Sequence, residues 1–520
     1  MDSLLGKLFA STFILPFTAG NYRRRQNGSW YYDCTISSRV LFLIVLATVI
    51  IFSATKWIPT HMDLRLGFVL ILLSLLMVSG VIGSYIMGCL VRKQGLQSVV
   101  VARRNSNTMK VQVIFLWIFG LTSGLYCAFF IGKQIDCSVY TSGGFYWDVL
   151  FCFNILLIFC LFSQLIFITY FSSFKLKQTI LVNNVMLMML TAIISVTLYI
   201  YLMSDTMSYL INIDYEDNLI SCLKTNTTMT FLKVKLRKFV HPIYVEYSLL
   251  LAAIILEIWS PTETYFPVIG SPYTERGTRD LTILPDNITS VEDPISENQG
   301  RRKLYHLITL AVSLTTGIGL VVCYVVMALD IGNLESIGYV AEIYEFTLKL
   351  VMMIVILAGF FCLVNNCTPD SSSKGLKSRE YVYLLSAFGM IMMHMFEGIV
   401  GDVSSDYAAN IYMSTSILSV FQDYIQVVFL MYANRFKKSD RQSNVAFLES
   451  IFIFIMASNL ILWFNDSFLL SEFSSTRILK HNKLPKEIFN FMYNVLLPVS
   501  IYFRFTSFME YYATFGKYTS

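Results

Sequence analysis

Residues 238–259 read KFVHPIYVEYSLLLAAIILEIW, and residues 488–507 read IFNFMYNVLLPVSIYFRFTS. Each is an apolar run with the length of a membrane span, and each sets a charge, Glu246 or Arg504, among aromatic residues. When one is laid on the other, Ile243-Tyr244 falls on Ile501-Tyr502 and Glu246 falls on Arg504. One run closes the first half of the chain and the other closes the second, which is the pattern of a duplicated membrane protein. An ionisable group at membrane depth is costly, so both positions are candidate functional sites.

The chain has 520 residues, 55% hydrophobic and 14% charged, with a mean hydropathy of +0.60. That is too apolar for a soluble domain of this length. Twelve spans are expected, at 40–57, 66–91, 111–132, 145–171, 179–203, 239–259, 304–328, 339–364, 381–401, 407–432, 445–465 and 488–508. Their loops set the orientation. Arg92, Lys93, Arg103, Arg104 and Lys110 follow span 2, Lys175 and Lys177 follow span 4, and Arg301, Arg302 and Lys303 precede span 7. Lys374, Lys377 and Arg379 precede span 9, and Arg435, Lys437, Lys438 and Arg441 precede span 11. All these loops fall on the side of the N-terminus, which places both termini in the cytoplasm. Basic residues before spans 6 and 12 run against this bias, and the five consistent loops outweigh them.

Pro261 to Gly300, rich in proline and acidic residues, reads as a mobile linker between two sets of six spans. The division is therefore a cytoplasmic N-terminal tail (1–39), an N-half (40–260), a cytoplasmic linker (261–302), a C-half (303–510) and a short cytoplasmic C-terminal tail (511–520). No cleaved signal peptide is legible, since Arg23 to Arg25 follow the first apolar segment rather than precede it. The ten cysteines show no C-x-x-C spacing, so no metal framework is expected. Cys137 and Cys222, in loops placed outside, are a candidate disulfide pair. Asn226 lies in an outer-loop sequon and is a glycosylation candidate. His61 and His481, also placed outside, are candidate pH sensors.

The halves echo one another beyond their last spans. Span 4 ends Ser163-Gln164-Leu165-Ile166-Phe167, and span 10 ends Ile425-Gln426-Val427-Val428-Phe429. With six spans each, the two copies share one topology, a parallel rather than an inverted repeat. Span 10 also holds Asp423, three residues before Gln426 and on the same helical face, the kind of polar stripe that lines a cavity. Asn459 adds a polar group on span 11. Glu345 and Lys349 form an i,i+4 pair on span 8; they either neutralise one another or border a conduit. Glu246 either lines a water-filled vestibule or forms a structural ion pair between helices. Gln164 and Gln426 are either interhelical glue or water-holding pore groups. No nucleophile–base pair, nucleotide loop or metalloprotease motif occurs, so no enzyme is expected and the catalytic residues are none.

Four passages resemble the otopetrin family. They are Pro242-Ile-Tyr-Val-Glu246-Tyr247-Ser248-Leu249, Gln426-Val-Val-Phe429 followed by Arg435, Asn459-Leu-Ile-Leu-Trp463, and Pro498-Val-Ser-Ile-Tyr502-Phe503-Arg504-Phe505-Thr506-Ser507. The resemblance implies an all-α polytopic membrane protein of twelve transmembrane helices, arranged as two tandem six-helix half-barrels and assembled as a homodimer. It implies a polar constriction in each half, from Gln164 with Tyr247 or Tyr244 in the N-half, and from Gln426, Asn459 and Tyr502 in the C-half. It also places Glu345 at the interface between halves. Ile194 and Thr506 stand where the family carries Asn and His, and these departures set conduction through the N-half in doubt.

The resulting expectation is a divergent proton-selective channel of the plasma membrane, admitting protons on extracellular acidification. Its proton pathway comprises Gln164, Tyr244, Glu246, Tyr247, Glu345, Asp423, Gln426, Asn459, Tyr502 and Arg504. Membrane lipid and a second copy of the chain are the expected partners, with no nucleic acid and no cofactor beyond a bound sterol or lipid. The alternatives are a proton-coupled secondary transporter, and a receptor or scaffold that retains the fold without conducting.

Overall fold

A backbone inside hydrocarbon must satisfy its own N–H and C=O groups, and long apolar runs do so as helices. The structure, a computed structural model, describes residues 21–24, 30–33, 62–103, 107–138, 145–177, 179–212, 228–259, 295–328, 334–369, 378–403, 407–438, 445–467 and 486–519. Among these residues there are eleven α-helices. In the N-half they are α1 (Met62–Gln94), α2 (Asn107–Ser138), α3 (Phe145–Phe171), α4 (Ile180–Asn212) and α5 (Thr228–Trp259). In the C-half they are α6 (Ile295–Ala328), α7 (Leu334–Asn366), α8 (Ser378–Val403), α9 (Tyr407–Arg435), α10 (Val445–Asn465) and α11 (Lys486–Thr519). Nine are long and apolar enough to cross a membrane, and the two outside that set are α5 and α11, which carry Glu246 and Arg504.

Eleven of the expected spans fall on these helices; the first, 40–57, lies outside the described residues. So do Asn226, His61, His481 and Cys222. Helix α6 starts at Ile295, inside the stretch expected as a linker, and α11 continues to Thr519 through the stretch expected as a tail. Tyr518 near its end is buried and donates to Ala433 O at 3.0 Å, which ties that end to α9.

The helix neighbours display the duplication directly. In the N-half α1 packs on α3 and α4, α2 packs on α3 and α5, and α4 packs on α5, which closes a ring. In the C-half α7 packs on α9 and α10, α8 on α9 and α11, and α10 on α11, the same ring with each helix six places later among the spans. Helix α6 lies outside the second ring against α7 and α10, joined to α10 by His306 and Glu449 at 3.0 Å.

Short antiparallel strand pairs repeat the same correspondence. Strand β1 (Asn21–Arg24) pairs with β2 (Trp30–Asp33) near the N-terminus. Strand β3 (Val100–Arg103), following α1, pairs with β4 (Phe174–Leu176), following α3. Strand β5 (Cys367–Pro369), following α7, pairs with β6 (Phe436–Lys438), following α9. The halves meet through α5 and α11, with α5 also against α8 and α11 against α2, so the junction follows the repeat's own symmetry. Tyr502, Phe505 and Met509 of α11 and Trp463 of α10 belong to the N-half core cluster, so one face of the C-half completes the other half's interior.

Helix packing in lipid lacks a hydrophobic drive between helices and relies on close backbone approach at small residues. At Gly80 of α1, an added Cβ would stand 2.5 Å from Ala192 Cβ of α4. Gly80→Val is expected to destabilise the protein by about 1–3 kcal/mol, the usual range for overpacking. Gly88→Val, with nothing within 4 Å of its added Cβ, is the matched control. Thermal unfolding of the detergent-solubilised protein reads the difference, and equal melting of the two variants contradicts the close α1–α4 contact.

Candidate functional site

Helix α9 presents Thr415, Ser416, Ser419, Gln422, Asp423 and Gln426, all buried, at the three- and four-residue spacing of one helical stripe. Buried polar groups need partners, and the neighbouring helices supply them. Gln422 Nε2 donates to Gln426 Oε1 at 2.7 Å, and Gln426 Nε2 donates to Asn459 Oδ1 of α10 at 3.1 Å. Asn459 in turn donates to Ile455 O at 2.8 Å. Tyr511 of α11 donates to Gln426 O at 3.0 Å. Three amide side chains thus run in series along the inside of the C-half ring. An amide both donates and accepts, so such a series transmits hydrogen-bond polarity without holding a charge.

A charged cluster abuts the amides. Arg504 Nη1 and Asp423 Oδ1 are 2.8 Å apart and both residues are buried. Asp423 Oδ2 faces His394 Nε2 of α8 at 3.3 Å, and His394 Nδ1 meets Glu397 Oε2 at 2.8 Å. On α7, Lys349 Nζ contacts Glu345 Oε1 at 2.6 Å and donates to Ser419 Oγ at 2.7 Å. Glu345, expected at the interface between halves, therefore lies in this C-half cluster. Arg504 is held by a carboxylate at depth and does not reach for the membrane surface.

The N-half around Gln164 is built from neutral groups. Tyr247 OH donates to Gln164 Oε1 at 3.3 Å and to Leu161 O at 3.2 Å. Tyr244 instead donates to Ser123 O at 2.8 Å and contacts Cys127 Sγ, so Tyr247 is the tyrosine beside Gln164. Asn154 accepts from Tyr199 OH at 2.9 Å farther along the same ring. Three and four residues before Gln164 stand Leu161 and Cys160, where Asp423 and Gln422 stand before Gln426. Ile194 is half-buried and offers no polar arm. The copies kept the glutamine and diverged around it.

Glu246 sits between the halves. Its Oε1 accepts from Trp463 Nε1 of α10, and from Ser467 Oγ at 3.2 Å. Its Oε2 is buried without a protein partner among the described residues. Trp463 lies within an aromatic cluster with Phe115 and Phe119 of α2 and Phe505 of α11, with ring centroids 5.7 to 6.3 Å from its own. Tyr502, expected beside Gln426, turns to this junction and approaches Leu249 O at 3.4 Å; Tyr511 donates to the backbone carbonyl of Gln426, and Tyr383 meets its side chain. Sequence reading missed His394, Glu397, Trp463 and Tyr511 as site residues. Their helical registers carry a weak signal, since Glu397 follows His394 by three residues on one face of span 9.

Removing one partner of a buried ion pair leaves the other charge uncompensated, at a cost of about 3–5 kcal/mol. Arg504→Ala is therefore expected to lower thermal stability and surface expression sharply, and the double variant Arg504→Met with Asp423→Leu is expected to recover most of the loss. A double variant no better than Arg504→Ala alone, in the same melting assay, contradicts the pairing. Comparison with curated proteins gives no match. A family model described as Otopetrin matches residues 204–505, from the end of α4 through α11 up to Phe505, and so spans Glu246, the charged cluster, the amide series and Arg504. With more than half its length matched, this chain is a member of the Otopetrin family.

Proposed function

We propose that the chain is a proton-selective channel of the plasma membrane that admits protons when the outside is acidified, with the C-half as the route. Otopetrins are proton channels rather than enzymes, and the matched region contains the whole C-half series. The observation that carries the reading is the Gln422–Gln426–Asn459 hydrogen-bonded series beside the Asp423–Arg504 pair. Protons pass along hydrogen-bonded groups and intervening water, whereas a narrow amide constriction strips or rejects hydrated metal ions. The N-half keeps Gln164 and Tyr247 but has Leu161 and Cys160 where the C-half has Asp423 and Gln422, and Ile194 where the family resemblance implies Asn, which supports unequal conduction.

The working form in this reading has twelve spans, both termini in the cytoplasm and a homodimeric assembly in lipid. The basic residues on the paired strands, Arg103, Lys175, Lys437 and Lys438, support a shared cytoplasmic side. Asn226 would then carry a glycan outside, and His61 and His481 would face the acidified solution. A second route follows the junction between halves, favoured by the unpartnered Glu246 Oε2. Its inner surroundings are aromatic, which makes it the drier of the two.

Patch clamp of surface-labelled cells decides the reading. An acid step outside is expected to give an inward current whose reversal potential moves by about 59 mV per pH unit, the value for a single-charge carrier. No current, or a reversal potential that follows sodium, overturns it. Gln426→Leu is expected to cut the current more than Gln164→Leu, and Ile194→Asn is expected to raise it. Equal effects of the two glutamine changes remove the case for the C-half. Glu246→Gln is expected to leave most of the current in place, and its abolition would move the route to the junction.

A further inference from the structure

His394 is buried on α8 with a carboxylate at each ring nitrogen, Glu397 at Nδ1 and Asp423 at Nε2. Most buried histidines settle with one acceptor and one donor, or with one polar neighbour and apolar walls. Two acidic neighbours ask for a proton on both nitrogens, which only the imidazolium supplies. The charges facing it from every adjoining helix agree. Glu397 comes from its own helix, Asp423 from α9, and Lys349 and Glu345 from α7. Arg504 of α11 reaches it through Asp423, and Asp466 at the end of α10 lies in electrostatic range of His394, Lys349 and Arg504. Glu345, Glu397 and Asp423 against Lys349 and Arg504 leave the cluster short of positive charge, and the His394 imidazole is the base placed to take up a proton.

The position along the helix also fits a relay. Helices α8 and α9 lie against each other and are joined across three residues, 404–406, so they run antiparallel. Ordered from that connection, the side chains are Glu397, His394, Asp423 and then Gln426 with Asn459. Asp423 is pinned through Oδ1 by Arg504, which leaves Oδ2 turned to the imidazole. The Nε2–Oδ2 contact, at 3.3 Å, is not aligned as a hydrogen bond, whereas Nδ1 and Glu397 Oε2 at 2.8 Å are bonded.

We propose that His394 is the proton-carrying side chain of the C-half, taking a proton from Glu397 on Nδ1 and passing one from Nε2 to Asp423, at the head of the amide series. This rests on the C-half being the conducting route. In the transfer, the Glu397 O–H bond breaks as the Nδ1–H bond forms, giving the imidazolium. The Nε2–H bond then breaks as an O–H bond forms on Asp423 Oδ2, leaving a neutral imidazole protonated on Nδ1. Loss of the Nδ1 proton to a water molecule, with uptake of a proton from water on Nε2, restores the starting tautomer. The charge is conserved at each step, and water is the one further reactant. Lys349 holds Glu345 Oε1 and Arg504 holds Asp423 Oδ1, which leaves Asp423 Oδ2 to receive the proton.

The test is patch clamp of the full chain with surface biotinylation, comparing the wild type, His394→Gln and Glu397→Gln over a series of outside pH values. Gln at 394 retains a hydrogen-bonding group but cannot titrate, and the current is expected to fall by at least about tenfold, a modest figure for removal of a positioned proton carrier. Glu397→Gln leaves an acceptor for Nδ1–H but has no proton to give, and is expected to cut the current to a similar extent. A wild type without proton current overturns the channel reading and this inference with it. A wild type that conducts, with His394→Gln reaching the surface and keeping its current and pH profile, overturns this inference alone. Where His394→Gln does not reach the surface, Glu397→Gln decides, and an unchanged current in that variant is equally fatal.

Discussion

A guanidinium at membrane depth cannot be left alone, and the pairing of Arg504 with Asp423 is the constraint on which the C-half depends. Arg504 lies on α11, which closes its own ring and lends a face to the core of the other half. Asp423 lies on α9, whose polar stripe forms the inside of that ring. Fixing one to the other sets the rotation of both helices. That rotation then turns Gln422 and Gln426 towards Asn459, and leaves Asp423 Oδ2 for His394. The same contact serves folding and the electrostatics of the polar stripe, since moving either charge would expose an unpaired ion to hydrocarbon.

The two halves show what duplication preserves and what it releases. Helix neighbours, paired strands and the glutamine on the fourth span of each half are common to both. Around that glutamine the chemistry has separated, with amides and charges in the C-half and Tyr247, Cys160 and Leu161 in the N-half. Scaffold contacts rest on small residues and apolar surface that many sequences satisfy, so they survive drift. A buried polar series survives only if all its members change together, because a half-satisfied network costs more than an apolar one.

Glu246 and Arg504 occupy matching positions in the closing helices yet carry opposite charges, and they do not meet. Glu246 reaches across the junction to Trp463 and Ser467, while Arg504 turns inward to Asp423. The junction is thus held by one carboxylate and an aromatic cluster. Trp463 joins the two roles, donating from its indole nitrogen and covering Phe119 and Phe505 with its ring.

Helix identities, the division into repeated halves and the positions of Gln164, Glu246, Asp423, Gln426, Asn459 and Arg504 are all legible in the sequence. Apolar length fixes a helix in lipid, and a polar group inside such a run stands out because it is costly there. Partners are another matter. That Arg504 chooses Asp423, that Tyr247 rather than Tyr244 meets Gln164, and that Tyr502 faces the junction while Tyr511 meets Gln426 depend on helix rotation and tilt. Glu345 belongs to the C-half cluster for the same reason. Rotation is set by side-chain fit between helices far apart in the chain, such as Gly80 against Ala192, and no local pattern encodes it. His394 shows the limit most sharply: by itself it is one histidine on an apolar helix, and only the meeting of α7, α8, α9 and α11 puts acids at both of its nitrogens and cations within reach.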